Sequence, residues 1–231
     1  MKIQGIQKLT LLDYPGKMAA TIFTVGCNFR CPFCYNASLV TETEEMDCMS
    51  TDEVLGFLKK RSRVLEGVCI TGGEPLLQPD LEEFIREVKA MGYLVKLDTN
   101  GSNLGKLKNL VEKSLVDYVA MDIKNAPHKY DITIGMEESV LAEVKKTVDY
   151  LKSNPVPYEF RTTVVKEFHE LKDMEEIGKW LEGTNKYFIQ KFNDSGDLIR
   201  EGLHSHDNEV LYKFLEVAKR HIPETSLRGV E

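Results

Sequence analysis

The sequence predicts an α/β fold in which about six βα units form an open or partial barrel. Short β-branched runs alternate with longer amphipathic segments along the 231 residues, a pattern typical of parallel sheets with helical crossovers. No repeat, low-complexity tract or Gly/Ser linker divides the chain. We therefore expect a single domain over residues 1–231, with its core at 18–192 and a C-terminal helix and tail at 193–231.

Six segments rich in Val, Ile, Thr and aromatic residues are predicted as strands, at 18–26, 67–73, 93–101, 116–124, 158–165 and 186–192. Amphipathic segments predict helices at 51–62, 79–91, 104–114, 137–152, 170–181 and 207–220. We expect Ser50 or Thr51 to cap the first helix, Asp80 to open the second and Gly92 to close it. A frayed tail is expected after Pro223.

Polar residues share a face near the carboxyl ends of several predicted strands. They are Lys96, Asp98 and Asn100, then Asp122 and Lys124, then Arg161 and Thr163. A strand covered by helices on both faces would be almost entirely apolar. We therefore expect the sheet to curve around a hydrophilic cavity, with a site at the C-terminal rim. The alternative is that these are edge strands with one solvated face, which would explain one or two such strands better than several.

Charge and hydropathy argue against nucleic-acid and membrane partners. The net charge is −7 with both signs interspersed, whereas nonspecific nucleic-acid binding needs concentrated positive surface. The basic run at 59–63 is interpreted as a solvated helix end. No apolar run is long enough to cross a bilayer, and the first thirty residues lack the apolar core of a signal peptide. Without an export signal we expect a cytoplasmic protein. In the reducing cytosol, clustered cysteines bind metal or react more often than they form disulfides.

Three of the five cysteines fall within eight residues of the stretch GCNFRCPFCYN, at Cys27, Cys31 and Cys34. Buried structural cysteines are not normally grouped in one loop with Gly, Asn, Arg and Pro. A structural zinc site needs a fourth ligand, and Cys48 and Cys69 do not supply a second C-x2-C. A zinc site completed by a distant histidine stays open as the second interpretation. Three thiolates suit a [4Fe–4S] cluster with one iron left without a protein ligand.

The C-x3-C-x2-C spacing after the first strand, with Phe33 before the last cysteine, resembles the radical S-adenosylmethionine (SAM) superfamily. That resemblance implies the partial (βα)6 TIM-like barrel of the radical SAM type. It also implies a [4Fe–4S] cluster on Cys27, Cys31 and Cys34 whose open iron chelates SAM. An electron from such a cluster cleaves SAM to methionine and a 5′-deoxyadenosyl radical that abstracts hydrogen. Phe33 and Tyr35 are then expected to border the adenine.

The second predicted strand ends in TGGEP, which contains Gly72, Gly73 and Glu74. Two glycines allow close backbone approach, and Pro75 stiffens the exit. Alone, this segment is better explained as a βα turn before the helix predicted at 79–91. Beside the cysteine loop it resembles the GGEP motif of the superfamily, whose backbone and Glu bind the methionyl amine of SAM.

Two later strand ends, LDTNG at 97–101 and MDIK at 121–124, resemble the activating enzymes of glycyl radical enzymes. Turn chemistry and a salt bridge would also explain these residues. The resemblance implies that Asp98, Asn100 and Asp122 lie around SAM, with Lys124 balancing charge and a monovalent cation as a further cofactor. Arg161 is expected to pair with a carboxylate, and Gln190 is a weaker candidate for the same cavity.

The stretch LTLLDYPGK before the cysteine loop resembles activating proteins of anaerobic ribonucleoside-triphosphate reductase. The likeness extends along the chain to roughly residue 192. Tyr35 departs from the His that is common at this position. The resemblance implies a glycyl radical enzyme as partner and a flavodoxin- or ferredoxin-type electron donor. Two alternatives stay open. One is a radical SAM enzyme for a small molecule such as a deazapurine precursor, and the other is a noncatalytic iron–sulfur or zinc protein.

Overall fold

Eight strands form one sheet in the computed structural model, which describes residues 1–41, 47–136 and 138–230. The strands are β1 Ile3–Thr10, β2 Ala19–Thr24, β3 Gly67–Gly72, β4 Leu94–Thr99, β5 Tyr118–Asp122, β6 Tyr158–Val164, β7 Tyr187–Lys191 and β8 Thr225–Arg228. Their order in the sheet is their order in the chain, with β1 antiparallel to β2 and every later pair parallel. The six predicted strands are β2 to β7, so the predicted parallel sheet is confirmed.

The helices are α1 Ser38–Thr41, α2 Thr51–Arg61, α3 Leu81–Ala90, α4 Leu104–Glu112, α5 Tyr130–Ile134, α6 Leu141–Lys152, α7 Leu171–Trp180 and α8 Asn208–Lys219. Short 3₁₀ turns lie at Pro75–Leu77 and Pro127–Lys129. All six predicted helices are present. The one predicted over 137–152 begins at Leu141, and residue 137 lies outside the described residues. Helices α1 and α5 were not predicted, because four or five residues are too few to show a helical period.

The two predicted helix starts differ in their chemistry. Ser50 caps α2 with a complete capping box, since its hydroxyl accepts from the Glu53 N–H and the Glu53 carboxylate accepts from the Ser50 N–H. Asp80 occupies the N-cap position of α3 but makes no side-chain cap. Its carboxylate instead binds the N-terminal ammonium of Met1. Asp80 therefore opens α3 as expected, although its side chain does not cap the helix.

Both ends of the sheet correct the sequence prediction. The expected frayed tail after Pro223 is wrong, because Thr225–Arg228 forms β8 and pairs with β7 in parallel. At the other edge β1 was not predicted as a strand. Its sequence IQGIQKLT shows no clean alternation, and its pairing with β2 shifts register twice. Both segments become strands through the partner they pair with rather than through their own composition.

The core lies between the outer face of the sheet and the helices. Val68, Ile70, Val95 and Leu97 are fully buried in the central strands. Each such side chain contributes about 1.5–3 kcal/mol through removal from water. Residues from β1 to β8 line one cavity, so the sheet curves around it, while no pairing between β1 and β8 occurs in the described part of the chain. None of the helices in that part is both long enough and apolar enough to span a bilayer.

Candidate active site

One cavity of about 600 Å³ opens at the carboxyl ends of the strands. Its wall contains all thirteen of the site residues named from the sequence. They are Cys27, Cys31, Phe33, Cys34, Tyr35, Gly72, Gly73, Glu74, Asp98, Asn100, Asp122, Lys124 and Arg161, and Gln190 lies there as well. The structure thus brings together residues that are spread over more than 130 positions of the chain.

The three cysteines of the loop after β2 are free thiols that reach this cavity. Cys31 is 7% exposed, and Cys27 and Cys34 are half-buried. N–H groups point at two of the sulfurs. The Phe29 N–H donates to Cys27 Sγ at 3.3 Å, and the Asn36 N–H donates to Cys34 Sγ. Such donors stabilise negative charge on sulfur, as a thiolate ligand requires.

Burial dominates the protonation of these thiols. It raises the pKa of Cys27 to about 11 and that of Cys31 to about 12, and it also raises the pKa of Cys34. The Lys124 ammonium opposes the rise at all three sulfurs. Buried thiols in this position ionise when a cationic group compensates them, and the iron ions of a cluster supply that compensation.

The donor set fits a cluster with separate irons. Within residues 1–41, 47–136 and 138–230, no three Cys, His, Asp or Glu side chains converge closely enough to hold a single metal ion. In a [4Fe–4S] cluster each thiolate binds a different iron, so the three sulfurs do not need to converge on one point. Cys48 is exposed on the surface, and Cys69 is buried beside Lys96 and Asp98, away from the cysteine loop.

Gly72 and Gly73 let the end of β3 touch the backbone of the cysteine loop. Gly72 has φ +114°, and a Cβ there would lie 2.3 Å from the Thr24 nitrogen. A Cβ on Gly73 would lie 2.0 Å from the Gly26 carbonyl oxygen. The contact is made by hydrogen bonds, since the Gly73 N–H donates to the Thr24 carbonyl and the Glu74 N–H to the Gly26 carbonyl, both at 2.8 Å. Any larger residue would separate the two motifs.

Glu74 is buried rather than displayed at the rim, with 1% of its surface exposed. Its carboxylate accepts from the Thr99 hydroxyl at 2.8 Å, the Asn100 N–H at 2.7 Å and the Leu76 N–H at 3.1 Å. Burial raises its pKa to about 7, and these three hydrogen bonds limit the rise. Because a carboxylate has about four acceptor positions, three of them serve the fold and about one remains.

Asn100 joins the loop after β4 to the cysteine loop. Its side-chain amide donates to Asn28 Oδ1 at 2.9 Å and lies 3.9 Å from Cys27 Sγ. The Asn28 amide in turn donates to the Ser102 hydroxyl at 2.9 Å. Glu74 therefore fixes Asn100, and Asn100 fixes the part of the cysteine loop that carries Cys27.

Arg161 links two carboxylates that the sequence placed on neighbouring strands. Its Nε donates to Asp122 Oδ1 at 2.9 Å and its Nη1 to Asp98 Oδ2 at 3.2 Å. Lys124 also pairs with Asp122 at 3.0 Å, and Lys96 pairs with Asp98. Burial alone would raise the pKa of both carboxyls, but Arg161 and the two lysines hold them well below the usual range. Both carboxylates are consequently ionised and already balanced by protein cations.

The two aromatic candidates differ in how much surface they offer. The Phe33 ring lies 5.5 Å from the Phe168 ring and 6.1 Å from His169, centroid to centroid, and is 4% exposed. Tyr35 is 47% exposed at the cavity. Tyr35 thus presents more area to a flat ligand than Phe33, whose place beside an adenine stays a prediction.

Several cavity residues were not named from the sequence, among them Asp13, Thr21, Thr99, Glu159 and Arg228. Glu159 is the second residue of β6 and is 1% exposed. It accepts two hydrogen bonds from Arg228, at 2.8 and 3.1 Å, and one from the Tyr118 hydroxyl at 2.9 Å. The alternation of Glu159, Arg161 and Thr163 on one strand face could have revealed Glu159. Arg228 carries no such signal, because β8 was not expected.

Comparisons with known proteins identify the family of this chain. The model of the Radical SAM superfamily matches residues 21–181, which include both the cysteine loop and the GGEP segment. The protein named "Putative glycyl-radical enzyme activating enzyme MJ1227" of Methanocaldococcus jannaschii is 32% identical over 99% of this chain and 96% of its own length. The 7-carboxy-7-deazaguanine synthase of Thermoplasma acidophilum is 34% identical over 60% of this chain and 61% of its own length.

The fold is shared with a solved structure at much lower identity. Streptococcus suis SuiB bound to S-adenosylmethionine superposes with a TM-score of 0.71 and 13% identity, over 90% of this chain and 49% of SuiB. The expected partial barrel is thereby confirmed. Radical SAM proteins use a [4Fe–4S] cluster and SAM, and the thiols described above suit that cluster. With its family model matched over more than half of its length, the chain belongs to the radical SAM superfamily.

Proposed function

We propose that this protein activates a glycyl radical enzyme, and that its partner is an anaerobic ribonucleoside-triphosphate reductase. The observation that carries the proposal is the 32% identity to the M. jannaschii protein over 99% of this chain. The D-x-K pair Asp122 and Lys124, joined at 3.0 Å in the cavity, supports the same assignment. The partner's identity rests on the sequence resemblance of residues 9–36.

Cys27, Cys31 and Cys34 would hold three irons of the cluster and leave the fourth for SAM. When bound, the cluster supplies the electron that splits SAM into methionine and a 5′-deoxyadenosyl radical. The chain's own residues then orient and shield the site. Gly72 and Gly73 bring β3 against the cysteine loop, and Glu74 keeps Asn100 beside Cys27. The cavity walls exclude water and competing hydrogen donors.

The ion-pair network sets the charge of the SAM site. Arg161 is shared between Asp98 and Asp122, so a substrate carboxylate would have to compete with both for the guanidinium. A monovalent cation beside these two aspartates would lie close to the positive charges of Lys96, Lys124 and Arg161, which already pair with them. Roles for Asp98, Asn100, Asp122, Lys124 and Arg161 around SAM are thus part of the proposal.

Anaerobic reconstitution with iron and sulfide tests the chemistry. We expect a [4Fe–4S] absorbance and, after reduction with SAM present, 5′-deoxyadenosine and methionine in equal amounts by mass spectrometry. Mixing with the reductase chain should then give the EPR doublet of a glycyl radical. Failure to cleave SAM would sink the radical SAM activity. SAM cleavage without a glycyl-radical EPR doublet on any reductase chain would contradict only the partner assignment.

Two cysteine variants form a matched pair. Cys31→Ala removes a 7% exposed thiol from the cavity wall, and Cys48→Ala removes an exposed thiol outside it. We expect Cys31→Ala to lose iron and SAM cleavage together, and Cys48→Ala to keep both. Iron content and 5′-deoxyadenosine yield are the measurements, and SAM cleavage by Cys31→Ala would contradict the ligand assignment.

A second candidate function is radical chemistry on a small molecule such as a deazapurine precursor. Two observations favour it: the cavity of about 600 Å³ has the size of a small-molecule site, and the T. acidophilum synthase is 34% identical over 60% of this chain. Formation of 5′-deoxyadenosine that depends on an added small molecule, with no reductase chain present, discriminates the two functions. A pterin-like substrate that is consumed in step with SAM would favour the second.

A further inference from the structure

The segment between β7 and α8 crosses the outside of the cysteine loop. The Ser195 hydroxyl donates to the Tyr35 carbonyl at 2.9 Å, and the Arg200 N–H donates to the Pro32 carbonyl at 2.9 Å. These two contacts lie on either side of Cys34. We call residues 195–200 the strap, because they hold the cysteine loop from a position about 160 residues further along the chain.

Asp197 is the most heavily bonded residue of the strap. Its carboxylate accepts from the Ser38 N–H at 3.1 and 3.2 Å and from the Ser38 hydroxyl at 2.8 Å. Its backbone carbonyl accepts from the Ala37 N–H at 3.2 Å. Asp197 thereby fixes the turn that follows Cys34, and the Asn36 N–H in that turn donates to Cys34 Sγ.

The strap also brings a negative charge close to a cluster ligand. The Asp197 carboxylate is held by the Ser38 N–H and hydroxyl, four residues beyond the Cys34 ligand. A carboxylate that disfavours negative charge on Cys34 also disfavours an additional electron on a metal group bound through that sulfur. Hydrogen bonds to the sulfurs, local charge and exposure are what set iron–sulfur potentials.

We propose that Asp197 is a positioning residue for the cysteine loop and that its fixed charge lowers the reduction potential of a cluster held there. The redox half rests on the proposed function, since it needs a cluster on Cys27, Cys31 and Cys34. The positioning half needs only the fold. Lys124 and the Asn36 N–H favour the reduced cluster and Asp197 opposes them, so the Asp197 charge makes the reduced cluster a stronger reductant.

Asp197→Asn and Asp194→Asn are matched variants that test the redox half. Both remove one carboxylate from the same loop, but Asp194 is exposed and accepts from the Gly196 N–H at 2.8 Å. The reconstituted proteins are titrated with dithionite and mediators, and the reduced cluster is followed by EPR. We expect a more positive midpoint for Asp197→Asn, with a severalfold higher reduced fraction at fixed potential, and the wild-type midpoint for Asp194→Asn. Equal midpoints for Asp197→Asn and the wild type would overturn the redox half.

Alkylation of Cys34 in the cluster-free protein tests the positioning half. Asp197→Ala and Ser38→Ala both break contacts to the turn, and Ser38→Ala leaves the Asp197 charge in place. We expect both variants to be alkylated at Cys34 severalfold faster than the wild type, as mapped by peptide mass spectrometry. Circular dichroism verifies that they are folded. After reconstitution, Ser38→Ala should lose iron faster to a chelator while keeping the wild-type midpoint.

The outcomes separate this proposal from the proposed function. Wild-type rates of Cys34 alkylation in both variants would overturn the positioning half, even where the wild type binds a cluster and cleaves SAM. A wild-type chain that binds no cluster would overturn the proposed function and the redox half together. In that case faster alkylation of Asp197→Ala would still support the strap.

Discussion

At the scale of single residues, Glu74 acts on the site mainly through the loop that it holds. Its carboxylate accepts three hydrogen bonds, two of which come from Thr99 and Asn100. Glu74→Gln replaces one acceptor oxygen by an amide NH2 group, which cannot accept the hydrogen bond from the backbone N–H that it faces. We expect a loss of about 1–3 kcal/mol in the free energy of unfolding, together with weaker SAM binding.

Urea unfolding and SAM titration of the reconstituted protein measure both effects. Glu82→Gln is the matched control, since its carboxylate also accepts from three side chains, Lys113, Arg86 and Asn109, but lies at the surface. We expect the control to change stability by less than about 1 kcal/mol. Similar losses of stability and of SAM binding in the two variants would show that the role of Glu74 does not depend on its burial.

His169 gives the stability of the protein a pH dependence. It is fully buried. Its Nδ1 accepts from the Val165 N–H at 3.1 Å, and its Nε2 donates to the Lys124 carbonyl at 2.9 Å. Burial lowers its pKa from 6.5 to about 4; the two backbone bonds and Asp173 oppose that shift, and His206 adds to it. The neutral ring is therefore the form that the fold binds.

The sign follows from proton counting. Between pH 6.5 and about 4 the unfolded chain binds a proton that folded His169 does not, so stability falls as the pH falls. The full contribution is present above pH 6.5, and about 3 kcal/mol is lost by pH 4. We expect His169→Gln to be less stable at pH 7 and to show a shallower decline below pH 6.5 in urea unfolding. An unchanged slope would contradict this assignment.

At the scale of elements, the contact between the end of β3 and the cysteine loop depends on the absence of a side chain. Gly73→Ala would place a Cβ 2.0 Å from the Gly26 carbonyl oxygen, and we expect a loss of about 1–3 kcal/mol or more in stability together with reduced iron binding. Gly56→Ala lies in α2 with nothing within 4 Å and should stabilise by about 0.5–1 kcal/mol. Thermal unfolding and iron content measure the pair. Full iron binding by Gly73→Ala would contradict the close contact.

The elements also show what a sequence can and cannot predict. Strands β2 to β7 carry their own signal, because each is a short β-branched run, and those after β2 have a helix on either side in the sequence. Strand β8 has only four residues, and strand β1 pairs with irregular register. Their structure depends on a neighbouring strand that no local window contains.

The same distinction holds in the site. The cysteine loop, GGEP and the polar strand faces are local patterns, and all of them line the cavity. Arg228 and Asp197 reach the site from distant segments, so their contacts exist only in the folded chain. Glu74 follows the end of β3 as predicted, but its burial could not be predicted, because it depends on Thr99 and Asn100, which bind its carboxylate.

At the scale of the whole molecule, β8 supplies the counter-charge for a buried carboxylate of the barrel interior. Glu159 is 1% exposed near the amino-terminal end of β6, and Arg228 binds it with both Nη atoms. The same guanidinium lies 3.4 Å from the Phe188 ring centroid. The last strand thus completes the charge balance inside the sheet.

Arg228→Met should cost about 3 kcal/mol, because it leaves the Glu159 charge buried without its cation. Adding Glu159→Gln to that variant should restore a large part of the loss, since the neutral amide needs no counter-charge. Urea unfolding of the two single variants and the double variant measures the coupling. Additive losses would contradict the pairing.

The order of the strands has a consequence for biosynthesis. Because each strand pairs with the one made just before it, the growing chain can extend its sheet strand by strand as it leaves the ribosome. The cysteine loop is an exception, since its turn at Ser38 is completed by Asp197, 159 residues later. The nascent chain therefore presents three thiols long before the loop that carries them is fully held in place. We expect metal to bind only after the strap has been translated.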